Sequence, residues 1–142
     1  MAKTEPLKPV NILVLDDSNA DIVLLKDTLI TQGLSNHLFC HVSTSEAMKC
    51  LMQDDIDVLF ADIRLGEGCG LYFIREAKEQ GLLEGVTVIA LSGVNDPAIH
   101  AEADLLGVAM WIDKPLTMHK LYYLVMKIPE LFMSIVKNEK VA

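Results

Sequence analysis

A chain of 142 residues, 51% of them hydrophobic and only 6% aromatic, has the length for one domain with an aliphatic core. Its formal net charge of −8 argues against nucleic acid as a partner, because phosphates would be repelled, while leaving room for a divalent cation. No apolar run approaches the roughly 20 residues of a membrane span, and the first residues lack the apolar segment of a signal peptide. Cys40, Cys50 and Cys69 are odd in number and lack metal-ligand spacing, so they read as free thiols of a reducing, cytoplasmic setting.

Residues 1–9, polar with Pro6 and Pro9, read as a flexible tail. Val10 to Leu15 is a first buried strand ending on Asp16-Asp17. Ser18 or Asn19 then caps a helix with Ile22, Leu25 and Leu29 at helical spacing, up to Gly33. A weaker strand, Phe39 to Val42, precedes a Ser43-capped helix carrying Ala47 and Leu51. Val58 to Ala61 is a third strand ending on Asp62, followed by the glycine-rich stretch 66–70 and a helix opened by Gly70 and closed by Gly81. Val86 to Leu91 ends on Ser92, Asp96-Pro97 starts a helix ending near Gly107, and Ala109 to Ile112 leads to Asp113-Lys114-Pro115. Thr117 caps a last helix through Leu121, Val125 and Ile128. Residues 129–142 read as a C-terminal extension, a short helix and then a frayed end.

Strand and helix thus alternate five times over residues 10–128. Connections of this length impose parallel pairing with right-handed crossovers, so an α/β fold is expected, a five-stranded parallel sheet with helices on both faces. In such a sheet Asp16-Asp17, Asp62, Ser92 and Lys114 all fall at the carboxyl edge, where open α/β sheets place their ligands. Taken singly, each has a bland explanation as a turn or cap residue. Together they describe chemistry. Three clustered carboxylates raise one another's pKa unless a cation balances them, and Lys114 alone is not enough. A hard divalent cation with oxygen ligands answers this, and Mg²⁺ fits. A cation, a lysine and a hydroxyl supply donors for phosphoryl oxygens, and Asp62 is a competent nucleophile towards phosphorus.

On Asp16-Asp17, Asp62 with Leu65 and Gly70 downstream, Ser92, and Gly107 through Trp111 to Lys114-Pro115, the chain resembles the receiver domain of two-component response regulators. The resemblance covers about residues 10 to 128. It implies a flavodoxin-like (βα)5 fold with strand order 2-1-3-4-5 and a stand-alone phosphorylation switch rather than an enzyme. Asp62 would be the phosphoacceptor, taking its phosphoryl group from a sensor histidine kinase or a histidine phosphotransfer protein. Asp17, Asp62 and the backbone carbonyl of Arg64 would hold Mg²⁺, with Asp16 helping through water. Lys114 and Ser92 would meet the phosphoryl oxygens, and Trp111 stands where the family has its switch aromatic, usually tyrosine or phenylalanine. Gly66 replaces a common proline, and Gly93 a usual alanine.

By the same resemblance the first helix docks the phosphodonor, which makes Ile22 and Val23 candidate contacts, outside a core-facing Leu24-Leu25. The last helix is apolar nearly all round, so Tyr123 and Leu124 are candidate contacts for a downstream protein or a second copy. A homodimer through this helix or the C-terminal extension is a further expectation. Two other readings use the same residues: a small Mg²⁺-dependent phosphotransferase or phosphatase, and an unphosphorylated interaction module.

Overall fold

The computed structural model describes residues 10–31, 37–65, 68–93 and 96–128. The tail 1–9, Gly33, Gly66 and the extension 129–142 lie outside the described residues. In chain order the elements are β1 (Asn11–Leu15), α1 (Asn19–Thr31), β2 (His37–His41), α2 (Thr44–Gln53), β3 (Val58–Asp62), β4 (Arg64–Leu65), β5 (Gly68–Cys69), α3 (Gly70–Glu79), β6 (Thr87–Ser92), α4 (Pro97–Leu105), β7 (Met110–Asp113) and α5 (Met118–Lys127). Five strands form a parallel sheet in the order β2-β1-β3-β6-β7, which is 2-1-3-4-5 when only sheet strands are counted. This is the flavodoxin-like fold expected from the sequence. β4 and β5 form a small antiparallel ribbon of their own beyond β3.

Residues 12–15 of β1 and 58–61 of β3 are continuously apolar because both faces of the sheet are covered. Alternate side chains go to opposite faces. Ile12, Val14, Val58 and Phe60 join Leu25 and Leu29 of α1 and Leu121 and Leu124 of α5 in one core layer. Leu13, Leu15, Leu59 and Ala61 face α2, α3 and α4 in the other. Side-chain caps start four helices where the sequence places them: Ser18 Oγ accepts from the Asp21 amide, Ser43 Oγ from Glu46, Asp96 Oδ1 from Ala98, and Thr117 Oγ1 from Lys120. Gly107, at φ +85°, takes the left-handed conformation that turns the chain from α4 towards β7. Among the described residues no helix is long and apolar enough to cross a membrane.

On two helices single positions differ from expectation, while Leu25, Leu29, Leu121 and Ile128 face inward as the spacing predicts. On α1 the buried set is Leu25, Thr28 and Leu29, so Leu24, about 100° away around the helix, points outward and is exposed. Ile22 lies half-buried against the core, whereas Val23 is 56% exposed. On α5 the inward positions are Leu121, Leu124 and Ile128. Leu124 is 0% exposed and cannot be a partner contact on this surface, while its neighbour Tyr123 is 57% exposed. Ile22 is likewise a packing residue more than a surface one.

Candidate functional site

The carboxyl ends of β1, β3, β6 and β7 bring their polar residues to one place. The Asp16 amide donates to the His41 carbonyl (3.1 Å), continuing the β1–β2 ladder one residue past the strand. Ser92 and Asp113 are register partners at the end of the β6–β7 pair, and the Lys114 amide donates to the Ser92 carbonyl (2.7 Å). The Lys114–Pro115 peptide is cis. Parallel pairing therefore carries Lys114 98 positions back to Asp16 and 52 back to Asp62.

The loop after Asp62 closes tightly on it. The Arg64 amide donates to Asp62 Oδ1 (3.0 Å), the Ile63 amide to the Leu91 carbonyl (2.9 Å), and the Gly70 amide to the Ile63 carbonyl (2.8 Å). The return of the β4–β5 ribbon leaves no space at Gly70. A Cβ there would lie 2.0 Å from the Asp62 carbonyl oxygen, so only glycine fits. Gly70 thus does more than open α3. It lets the backbone pass directly over the strand end that presents Asp62.

Lys114 is the hub. Its ammonium donates to Asp21 Oδ2 (2.6 Å), Asp16 Oδ2 (2.7 Å) and Asp62 Oδ2 (3.2 Å). Asp16, Asp62 and Ser92 are all buried, Asp62 at 5% exposure. Burial pushes the Asp62 carboxyl up to about 6. The Asp16 charge adds to the rise, while the Arg64 amide and Lys114 oppose it. Burial works against the charged form of Lys114, but its bonds to Asp16 and Asp21 and the Asp16 and Asp62 charges outweigh this and raise its pKa. Asp17 stands exposed at the rim. One carboxylate oxygen from each of Asp16, Asp17 and Asp62 lies within 4.8 Å of the others. This is a donor set of hard oxygens suited to one divalent cation.

The structure therefore brings together Asp16, Asp17, Asp62, Ser92 and Lys114, and Arg64 joins them through its backbone. Asp21 was not anticipated from the sequence. It belongs to the first turn of α1, positioned by the Ser18 cap: Ser18 Oγ accepts from the Asp21 amide (3.3 Å), and the Ser18 amide donates to Asp16 Oδ1 (2.9 Å). Its only sequence signal is an acid one turn beyond a cap that itself follows a site residue. Trp111 lies to the side. Its ring stacks on His100 of α4, with centroids 3.6 Å apart and planes at 29°, and its indole N–H donates to Asp113 Oδ1 (3.3 Å). The partner that a part-buried indole N–H needs is thus the register neighbour of Ser92. Val23 and Tyr123 are exposed on the outer surfaces of α1 and α5.

Comparison with known proteins agrees with this architecture. A search of curated proteins gave no match. Among solved structures, the chain is similar to the chemotaxis protein CheY4 of Vibrio cholerae, at 19% identity over 85% of this chain and 99% of that one, with a TM-score of 0.77. It is similar to a CheY-like response regulator receiver domain of Methanospirillum hungatei, at 18% identity over 95% and 100% of the two chains, with a TM-score of 0.76. It is also similar to the Borrelia burgdorferi CheY solved in complex with CheX, BeF3 and Mg²⁺, at 23% identity over 84% and 88%, with a TM-score of 0.75. The family model of the response regulator receiver domain matches residues 12–126, which include every residue of the strand-end site. The chain belongs to the response regulator receiver domain family.

Proposed function

We propose that this protein is a phosphorylation-controlled signalling switch in which Asp62 takes a phosphoryl group from a phosphohistidine of a sensor histidine kinase or histidine phosphotransfer protein. The observation that carries this reading is the placement of Asp62: Oδ2 rests against the Lys114 ammonium, and its carboxylate shares a cation-sized space with Asp16 and Asp17. Asp62 attacks phosphorus, a new P–O bond forms as the P–N bond to the imidazole breaks, and the electron pair leaves with the imidazole nitrogen. Asp16, Asp17, Asp62 and the Arg64 carbonyl are the residues that would hold Mg²⁺. The ion supplies positive charge to the phosphoryl oxygens and to the carboxylates that crowd them. Lys114 and the Ser92 hydroxyl supply the remaining donors.

A route from the site to the surface is available within β6 and β7. Ser92 pairs in register with Asp113, which holds the Trp111 indole, and Trp111 stacks on His100 of α4. A shift of Ser92 towards a phosphoryl group on Asp62 would be transmitted to the α4–β7–α5 face and alter what that face binds. Val23 on α1 and Tyr123 on α5 are the exposed side chains we assign to partner contact, the second for a downstream protein or another copy of the chain. The protein catalyses only its own phosphorylation and dephosphorylation. It works in the cytoplasm, with Cys40 and Cys50 as thiols.

The test is incubation with Mg²⁺ and a small acyl phosphate, read by intact mass. Wild type is expected to gain one phosphoryl group, and Asp62→Asn none. A folded wild-type protein that takes up no phosphate would refute the switch.

A further inference from the structure

An ammonium group has three N–H donors, and in this protein carboxylates take all three of those on Lys114. The shortest contact is to Asp21 (2.6 Å), and the longest is to Asp62 (3.2 Å). Asp21 does not belong to the strand-end group whose oxygens can share a cation; that group is Asp16, Asp17 and Asp62. Asp21 reaches the site from the first turn of α1, held there by the Ser18 cap, and its carboxylate meets Lys114.

A phosphoryl group on Asp62 presents new anionic oxygens, and Lys114 has to turn a donor towards one of them. The donor on Asp62 Oδ2 makes the longest contact and already faces that residue, so a second donor for the phosphoryl oxygens has to come from Asp16 or Asp21. Surrendering Asp16 would leave a buried carboxylate resting on the Ser18 amide without its cation partner, which is unfavourable. The Asp21 side chain is 35% exposed and can be rehydrated when released. Asp21 is therefore the partner given up. Until then its charge holds the lysine and repels the incoming phosphoryl group.

We propose that Asp21 is a latch that competes with the phosphoryl group for Lys114 and so sets how readily the site gains and how tightly it keeps phosphate. Asp21 is a positioning residue that acts through Lys114. The proposal rests on the reading of Asp62 as phosphoacceptor and adds a residue that tunes it.

The test uses the full chain as wild type, Asp21→Asn, Asp21→Ala and Asp27→Asn. The last removes one acidic charge from α1 at a position whose backbone carbonyl accepts from Thr31. At saturating Mg²⁺, beryllofluoride, a phosphoryl mimic, is titrated into each by calorimetry. Mg²⁺ is also titrated alone, and autodephosphorylation is followed after labelling with acetyl phosphate. Freeing one donor of a charged group corresponds to roughly tenfold tighter beryllofluoride binding in both Asp21 variants. Mg²⁺ affinity should not rise, phosphate loss should slow, and Asp27→Asn should stay near wild type. Unchanged beryllofluoride affinity in the Asp21 variants overturns the latch while the phosphoacceptor reading stands. Weaker binding overturns it in favour of Asp21 as a support that orients Lys114. An Asp27→Asn effect equal to that of Asp21→Asn reduces the latch to general charge and overturns it. A wild type that neither binds beryllofluoride nor labels removes the phosphoacceptor reading, and the latch with it.

Discussion

Both ends of the parallel sheet carry aspartates, and they are used in opposite ways. At the carboxyl end Asp16 and Asp62 are buried, share Lys114 and face Asp17 across a space sized for one cation. At the amino end Asp54, Asp55, Asp57 and Glu84 line an open cleft of about 420 Å³. There the acids close the backbone. Asp57 Oδ2 accepts from the Asn11 amide (2.9 Å), the Asp55 carbonyl accepts from the Asn11 side-chain amide (2.6 Å), and Asp54 Oδ2 accepts from the Cys50 thiol (3.6 Å). Among the described residues only the carboxyl-end group converges closely enough to hold a metal ion. Acid content alone therefore does not make a site. What differs is that burial removes water from the carboxylates at one end, so that each depends on a shared cation there and on solvent at the other.

The sharpest way to break this contrast is Lys114→Met. Lys114 is the one cation that the described residues place on these buried carboxylates, and removing it should cost about 3 kcal/mol in metal-free buffer at neutral pH, measured by urea denaturation. That is the low end for such a loss, because the Asp21 side of the network reaches solvent. Mg²⁺ should then raise the denaturation midpoint of the variant more than that of wild type, since it replaces missing charge. Equal stability of the two proteins would mean that the carboxyl end is no more strained electrostatically than the amino end.

A smaller effect of opposite sign is expected from Asp62→Asn. Burial raises the Asp62 carboxyl to about 6. The unfolded chain holds it near ~3.9, so the folded state binds this proton more tightly. The resulting stability is fully present below about pH 4 and is lost as pH rises through about 6. Asn has no charge to bury, so in metal-free buffer the variant should be more stable than wild type by on the order of 2 kcal/mol above pH 7, the gap closing by about pH 4. A variant less stable than wild type at pH 8 would show that the buried carboxylate is no liability.

The same electrostatic logic explains how much of the site is legible in the sequence. Apolar runs ending on Asp16, Asp62, Ser92 and Lys114 carry both strand positions and site chemistry, because parallel pairing forces all their ends to one edge. Asp21 escaped because an acid in a helical first turn already has a sufficient explanation in the helix dipole. Nothing local in the sequence says that this turn overhangs the lysine. The close passage of Gly70 over the Asp62 carbonyl depends on how the β4–β5 ribbon returns, a tertiary feature. Leu24 and Leu124 depart from the sequence reading for a simple reason. In Ile22-Val23-Leu24-Leu25 and Tyr122-Tyr123-Leu124-Val125 no polar residue marks the outer face, and one position is 100° of rotation. That error put Leu24 in the core and Leu124 on the surface, the reverse of what packing selects.

The smallest expected effect belongs to the amino end. Asp57 accepts from the Asn11 amide with Oδ2, while its own backbone is secured by its amide to the Asn11 carbonyl (2.9 Å) and its carbonyl from the Thr87 amide (2.9 Å). Asp57→Ala removes one part-buried hydrogen bond and leaves the backbone bonds in place, so the loss should be about 1 kcal/mol. Water can reach the freed Asn11 amide from the open cleft, which caps the penalty. The carboxylate also lies at the far end of the strands from the Asp16–Asp17–Asp62 group. Mg²⁺ affinity, measured by calorimetry, should therefore stay at the wild-type value. A drop in Mg²⁺ affinity would mean that the two ends of the sheet communicate through β1 and β3, and that the acids of the amino end contribute to the site by more than closing the backbone.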